Sequence, residues 1–381
     1  MIPIMCVYGT RPEAIKMIPV VQALQASAVF RPVVAVTGQH RGILDQVNKL
    51  FGIQPDHDLN LIAPGQPLTQ IAARVLSGLE SVLALERPAA LLVQGDTSSA
   101  VAAAVAGAYH QIPVVHIEAG LRSGDISSPF PEELNRKMLS QVASLHLAPT
   151  QANRDNLLRD GVSPEQIAVT GNTVIDALLA VSAQRTPFED ERLSALVEND
   201  IPIILATVHR RESLGDGMRS IARALSRIAR TLRSHTVVLP LHPNPAVREV
   251  FTRELAGVEN VLLINPLDYA QFTHLLAVAT IVLTDSGGVQ EEAPSLGKPV
   301  LVLRDTTERP EAVDAGTSRV IGTDENVIVD ETLRLLLNPT HYQEMANAVS
   351  PYGDGQAAMR TVAAIEELLG VGTRMPDYVT A

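Results

Sequence analysis

The chain has 381 residues, 46% of them hydrophobic and 19% charged, which is material for two aliphatic domain cores rather than one. Aromatic residues make up 3%, with no tryptophan, which argues against a stacking platform for single-stranded nucleic acid. A net charge of −12 disfavours nonspecific binding to DNA or anionic membrane, and one cysteine, Cys6, excludes an internal disulfide framework and a zinc-cysteine cluster.

From the N-terminus, apolar runs of strand length alternate with segments of helix length. A strand over 3–8 precedes a helix over 13–24, and a strand over 33–37 precedes a helix over 43–51. A helix over 68–85, a strand over 90–94, a helix over 98–109 and a strand over 114–117 follow. A helix over 134–142 and a short strand over 145–148 close this half. The pattern pauses over 170–200 and then restarts. Strands are expected over 201–207, 236–241, 261–265, 281–283, 299–303 and 320–322, with helices over 221–232 and 272–278. A last helix over 357–369 has no strand after it. Near-continuous apolar strands between helices indicate parallel sheets covered on both faces. The expected fold class is therefore α/β, with two Rossmann-like domains facing an interdomain cleft. The expected domains are 1–170, completed by a terminal segment of about 357–381, and 171–356, with a hinge near 171–183. No apolar run approaches 18 residues, and the apolar residues 1–8 lack a basic segment before them, so a cytoplasmic location is expected.

In such folds ligands bind beyond the carboxyl ends of the strands, and the unusual polar residues fall there. The richest stretch is Asp285-Ser286-Gly287-Gly288, where a strand turns into a helix. Adjacent glycines let backbone amides approach a phosphate, and a helix N-terminus adds partial positive charge. Glu292, about one turn on, suits the hydroxyls of a ribose, and Arg309 offers a forked donor to phosphate oxygens. No P-loop lysine follows the glycines, so a nucleotide or nucleotide-sugar ligand is expected rather than ATP hydrolysis. Arg11 and Lys16 sit at the exit of the first strand, as diphosphate contacts or as a solvated pair on a capped helix. Asp96 either caps a helix or acts as an acid. His116 and Glu118 are two apart on a strand and share a face, without the partners of a metal site. Pro131-Glu132-Glu133 opens a helix, where one acid complements the dipole and the other is a candidate. His209-Arg210-Arg211-Glu212 and His242 occupy two further strand exits. Asp96, Glu118 and Glu132 would gather as acid/base groups beside an anchored nucleoside diphosphate.

Several motifs, in order from residue 9 to about 323, resemble the non-hydrolysing UDP-N-acetylglucosamine 2-epimerases of bacteria. They are Gly9-Thr10-Arg11-Pro12-Glu13-Ala14-Ile15-Lys16, Gln94-Gly95-Asp96-Thr97, His116-Ile117-Glu118-Ala119-Gly120-Leu121-Arg122, Phe130-Pro131-Glu132-Glu133-Leu134-Asn135-Arg136, Gly171-Asn172-Thr173, His209-Arg210-Arg211-Glu212, Thr284-Asp285-Ser286-Gly287-Gly288-Val289-Gln290-Glu291-Glu292, and Arg304-Asp305-Thr306-Thr307-Glu308-Arg309-Pro310-Glu311-Ala312. The resemblance implies the glycosyltransferase-B type of fold, a homodimer, and interconversion of UDP-GlcNAc and UDP-ManNAc for cell-surface polysaccharide. It implies anti elimination of UDP through a 2-acetamidoglucal, then readdition with C2 inverted. Carried over by position, Asp96, Glu118 and Glu132 are acid/base residues, and His209 contacts the diphosphate or assists its departure. Arg11, Lys16, Ser286, Gly287, Gly288, Glu292 and Arg309 would hold UDP, with Phe272 near the uracil. Leu267 departs from the family, which often has Gln or Arg after the equivalent of Pro266, so a base contact by that side chain would be missing. Some relatives are activated by a second UDP-GlcNAc. Gln39, His40, Arg41, Gln46, Gln66 and His242 lie in the matching regions, so the resemblance implies a second UDP-GlcNAc as a possible effector. No redox cofactor or metal is required, and no Gly-x-Gly-x-x-Gly occurs. A hydrolysing epimerase, a glycosyltransferase on the same scaffold and a non-catalytic nucleotide-sugar sensor are the competing readings.

Overall fold

The computed structural model describes residues 1–380 apart from 39–40, 62–64 and 211–213, and only the backbone of Arg41 and Ile43. Gln39, His40, Arg211 and Glu212, and the side chain of Arg41, therefore lie outside the described residues. The chain divides into two compact units, Met1–Ala177 with Tyr352–Val379, and Leu178–Pro351.

Unit 1 contains β1 (Ile2–Tyr8), β2 (Phe30–Val36), β3 (His57–Asp58), β4 (Ala90–Gln94), β5 (Val114–Ile117), β6 (Leu145–Ala148) and β7 (Ile167–Val169). They pair in parallel in the order β3-β2-β1-β4-β5-β6-β7. The chain winds outward from β1, then returns to lay β4 beside it. The loops leaving β1 and β4 therefore flank the point where the winding reverses, which is where a doubly wound sheet opens a crevice. Unit 2 repeats the scheme with β8 (Ile203–Thr207), β9 (Thr236–Pro240), β10 (Val261–Ile264), β11 (Ile281–Thr284), β12 (Val300–Val302) and β13 (Ser318–Val320). Their order is β10-β9-β8-β11-β12-β13, so the reversal falls between β8 and β11.

The central strands are apolar on both faces because helices cover both. Ile4, Met5 and Cys6 in β1 and Leu91–Val93 in β4 are fully buried, as are Val282 and Leu283 in β11. Burial pushes the Cys6 thiol far above its usual range, so it is an inert core residue. The helix Leu68–Glu86 falls on the expected span of 68–85. With 19 residues and a mean hydropathy of 1.3 it is long and apolar enough to cross a membrane by length and composition. In the fold, its Ile71, Val75, Leu79, Val82 and Leu83 stripe packs into the unit 1 core, and it carries Arg74, Glu80 and Glu86.

Strand β7 was not expected. Its three apolar residues lie between Gln166 and Thr170, too short a run to show a period. It is an edge strand, and the chain's last described residues cover it. The Tyr378 amide donates to the Val169 carbonyl at 2.7 Å, the Val169 amide donates to Asp377 Oδ1 at 3.0 Å, and Arg374 Nη1 donates to the Ile167 carbonyl at 2.9 Å. Covering an edge in this way removes a template for unwanted strand pairing. The terminal helix Ala357–Leu368 packs on the helix Arg11–Ala26 in unit 1.

The division between units falls inside the helix Thr173–Ser182, where the sequence reading put it at 170/171. Asp176 on this helix accepts from the amides of Ala357 (3.2 Å) and Ala358 (2.9 Å) and so caps the terminal helix. Burial, helped by Asp354, pushes the Asp176 carboxyl up to about 6 against the pull of those amides. Two residues further on, Leu178 is already fully buried in the unit 2 core with Leu193 and Ile203.

Candidate functional site

In unit 1 the loop after β1 is stiffened from within. Thr10 caps the helix Arg11–Ala26, and Glu13 completes the capping box. Glu13 is buried, accepting from the amides of Gly9 (2.9 Å) and Thr10 (2.7 Å) and from Thr97 Oγ1 (2.5 Å). It thereby ties the loop after β1 to the loop after β4. Burial raises its carboxyl pKa, and these bonds pull the other way. Arg11 is exposed, whereas Lys16, one turn on, points back to pair with Glu118.

Glu118 follows β5 in a left-handed conformation, φ 65°. A non-glycine residue there is strained, and such strain persists where surrounding bonds hold it. Lys16 Nζ and Asn172 Nδ2 (3.3 Å) donate to its Oε1, and Gln94 Nε2 donates to its Oε2. Its neighbour His116 makes no ion pair among the described residues. The ring is buried, which pulls its pKa down to about 4, so the neutral imidazole donates from Nε2 to the Gly95 carbonyl at 2.7 Å. His146, opposite it on β6, is pushed down by burial to about 3.

Asp96 follows Gly95 and receives Arg136 Nε (2.9 Å) and Nη2 (2.7 Å) on its Oδ2, while Asn135 Nδ2 donates to its carbonyl at 2.7 Å. Arg136 lies on the helix Glu132–Val142. The two acids that open this helix have different surroundings. Glu133 is fully buried, accepting on Oε2 from Arg136 Nη1 and the Ser123 amide, both at 3.1 Å. Glu132 is half-buried, and its carboxylate makes no hydrogen bond among the described residues. Arg122 is structural: it bonds Asp160 (2.8 Å), which also takes Lys137 (2.6 Å).

In unit 2 the organiser is Asp285, with a fully buried side chain at the end of β11. Its Oδ2 accepts the amides of His209 (2.7 Å) and Arg210 (2.8 Å), and its Oδ1 lies 2.9 Å from His209 Nδ1. Burial pushes its carboxyl up, but the His209 ring and these amides outweigh that and leave it below the usual range. His209 stacks on His242, with ring centroids 5.8 Å apart. Burial, with His209 next to it, lowers the His242 pKa.

Ser286 is the N-cap of the helix Gly287–Ser295, but its side chain makes no capping bond. The first-turn amides are left without that side-chain acceptor. A Cβ added at Gly287 would lie 3.9 Å from Arg210 Nη2 and 4.0 Å from Arg309 Nη2, while one at Gly288 would meet nothing within 4 Å. Two guanidinium groups thus converge on an uncapped helix N-terminus, an arrangement suited to an anion. Arg309 is steered by buried Glu291, and Gln290 accepts from Thr307 at 2.6 Å. Glu292 is buried on the same helix. Phe272 and Leu267 are both partly buried against the aliphatic unit 2 core.

Asp96, Glu118 and Glu132 therefore sit on adjoining elements of unit 1. A Cβ on Gly95 would lie 3.6 Å from Glu118 Oε2, and Asp96 is bonded to the helix that Glu132 begins. His209, Ser286, Gly287, Gly288, Glu292, Arg309 and Phe272 belong to unit 2. Sequence reasoning assigns no role to Gln94, Asn135, Arg136, Asn172, Asp285 or Glu291. The motifs contained all six, but each acts only through a residue distant in sequence or on another turn. Acid groups thus lie at the strand ends of one doubly wound unit and an anion grip at those of the other, the places where such sheets bind ligands.

The family model described as UDP-N-acetylglucosamine 2-epimerase matches residues 22–366. The UDP-N-acetylglucosamine 2-epimerase of Escherichia coli K12 is 52% identical over 369 residues, covering 95% of this chain and 98% of its own. That of Yersinia pestis is 51% identical over 368 residues, with the same coverage, 95% and 98%. The crystal structure of the UDP-GlcNAc 2-epimerase from Neisseria meningitidis, bound to UDP-GlcNAc, superposes with a TM-score of 0.85 at 43% identity, covering 96% of this chain and 100% of that one. The chain belongs to the UDP-N-acetylglucosamine 2-epimerase family.

Proposed function

We propose that this enzyme interconverts UDP-GlcNAc and UDP-ManNAc by anti elimination of UDP and readdition to a 2-acetamidoglucal. The observation that carries the reading is the convergence of Arg210 and Arg309 on the uncapped helix N-terminus at Gly287. The C2 proton of the sugar is not acidic, since C2 bears an acetamido nitrogen rather than adjoining a carbonyl. Loss of UDP must therefore carry much of the barrier. In the forward step a carboxylate takes the C2 proton, the C–H pair becomes the C1–C2 double bond, and the C1–O pair leaves with UDP. Charge grows on the departing diphosphate, and the two guanidinium groups, the helix amides and His209 stabilise it as it grows. Readdition reverses the flow, with a proton delivered to the other face of C2. Asp96, Glu118 and Glu132 are the proton carriers. Arg11 and Lys16 of unit 1 are proposed as UDP contacts, as are Ser286, Gly288, Glu292 and Phe272 of unit 2. The reaction starts and ends at one oxidation level, so it needs no redox cofactor.

The test is proton NMR of the enzyme with UDP-GlcNAc in D2O. UDP-ManNAc carrying deuterium at C2 is the expected product. Free ManNAc with UDP would mean a hydrolysing enzyme, and an unchanged spectrum would overturn the reading. An effector role for a second UDP-GlcNAc would appear in the same assay as a sigmoidal rate curve. The product then serves, in the cytoplasm, as a ManNAc donor for cell-surface polysaccharide.

A homodimer is part of the proposal. It is supported by the helix Leu68–Glu86, whose apolar window is only 28% buried and which leaves Leu68 and Leu85 exposed. Light scattering should give a mass of about twice the 40.8 kDa chain. A monomeric mass at micromolar concentration would remove this element.

A further inference from the structure

We propose that Arg136 is the positioning residue of the epimerisation: it fixes the Asp96 carboxylate in its working orientation, and buried Glu133 fixes Arg136. This rests on the proposed role of Asp96. Both guanidinium contacts, from Nε at 2.9 Å and Nη2 at 2.7 Å, fall on the same oxygen, Oδ2. Oδ1 makes no hydrogen bond among the described residues, so the clamp fixes the position of Oδ2 and leaves the other oxygen for the sugar. The third guanidinium nitrogen, Nη1, goes to Glu133 Oε2 at 3.1 Å. Glu133 is held in turn by the Ser123 amide at 3.1 Å, and its side chain is 1% exposed against 16% for Arg136 and 29% for Asp96. The order is an anchored acid inside, a cation between, and the reacting acid outermost. The main chain at Asp96 is braced separately, by Asn135 at the Asp96 carbonyl and His116 at the Gly95 carbonyl, each at 2.7 Å. With the backbone pinned, the orientation of the carboxylate is the freedom that remains, and among the described residues Arg136 is the group that removes it. A planar fork suits this task better than the point charge of a lysine.

Purely structural charge neutralisation would look the same in a static picture, so the test reads kinetics and coupling. Arg136→Gln, Asp96→Asn and the double variant are compared by initial rates of UDP-ManNAc formation, with folding checked by circular dichroism and melting temperature. Arg136→Gln should lower kcat on the order of 10- to 100-fold, as small misplacements of a reacting group do, and leave KM within about threefold. In the Asp96→Asn background the same change should cost less than about threefold further, since its effect passes through Asp96. Arg136→Lys keeps the cation without the fork and should fall between wild type and Arg136→Gln. If Arg136→Gln folds poorly, the lysine variant carries the comparison against Asp96→Asn. A folded Arg136→Gln enzyme with kcat within about threefold of wild type, or full multiplication of the two losses, would overturn the proposal while leaving the role of Asp96 standing. An Asp96→Asn enzyme with full activity would remove that role, and this inference with it.

Discussion

Glu118→Gln is expected to lower kcat about 100- to 10,000-fold, the range seen when a group that moves a proton in the transition state is neutralised. The substitution is nearly isosteric, so the strained φ of 65° at this position can be retained. The hydrogen bonding, however, changes sign at one atom. Glu118 accepts on both oxygens, from Lys16 and Asn172 on one and from Gln94 on the other. A glutamine can offer an acceptor to only one side, which sets an amide donor against a donor on the other. Lys16 would also lose its charged partner, where the pair is only 17% and 10% exposed. Losing such a charge-assisted contact costs about 1.5–3 kcal/mol, so a lower melting temperature should accompany the loss of turnover. UDP affinity is the control. The proposed grip on UDP lies mainly in unit 2, so calorimetry should find the affinity for UDP changed by less than about tenfold, or about 1.4 kcal/mol. An active Glu118→Gln enzyme would strike Glu118 from the proton carriers. Loss of UDP binding together with turnover would instead give Glu118 a binding role.

Gly120→Ala should be the most destabilising single-methyl change near the site. Gly120 has φ 92°, and an added Cβ would lie 2.2 Å from the Asn153 carbonyl oxygen and 2.8 Å from its carbon. Both obstacles are backbone, at the start of the helix Gln151–Arg159, where the Asn153 amide donates to the capping Thr150 Oγ1. No side-chain rotation can relieve the overlap, so the strand exit or the helix must move. Asn156 Nδ2, on the same helix, also donates to the Gly120 carbonyl at 2.9 Å, which ties the two segments together. Overpacking of this kind costs roughly 3 kcal/mol or more, and the left-handed φ adds about 1–2 kcal/mol. Differential scanning calorimetry should show the unit 1 transition falling on the order of 10 °C. Gly161→Ala is the comparison: φ is 87° but nothing lies within 4 Å, so only the conformational cost of about 1 kcal/mol should appear. Equal effects at the two positions would mean that backbone strain alone, and not the close approach to Asn153, requires glycine at 120.

The contrast between these two glycines shows what the linear sequence hides. Both are glycines at the end of an element, but only the fold brings a carbonyl against one of them. The paired acids after Pro131 make the same point. Glu132 and Glu133 are chemically equivalent in the sequence, and helix periodicity alone does not say which faces inward. In the fold Glu133 is sealed beneath Arg136 and Glu132 stays half-buried, because the neighbouring Ser123 amide and Arg136 offer donors only on one side. Glu13 misleads in the opposite direction. It reads as an ordinary capping-box acid, which it is, yet its second oxygen also reaches Thr97, 84 positions away, and joins two loops.

The sequence by itself determined the α/β class, the two rounds of alternation, most of the strands, and the motifs that carry Asp96, Glu118, His209 and the Gly287-Gly288 turn. Those features are local: an apolar run buried on both faces, or a glycine pair opening a helix, is written in consecutive residues. The tertiary structure decided the rest. It added β7 and the terminal segment that covers its edge, since a three-residue strand earns its identity only from a neighbour. It set the boundary inside the helix Thr173–Ser182, where Asp176 is bound to one unit and Leu178 to the core of the other. It also chose the partners of each acid, joining Lys16 to Glu118 across 102 positions and Arg136 to Asp96 across 40. Ion pairs of that span follow from strand order and register, which arise when the whole sheet closes and leave no period in the chain.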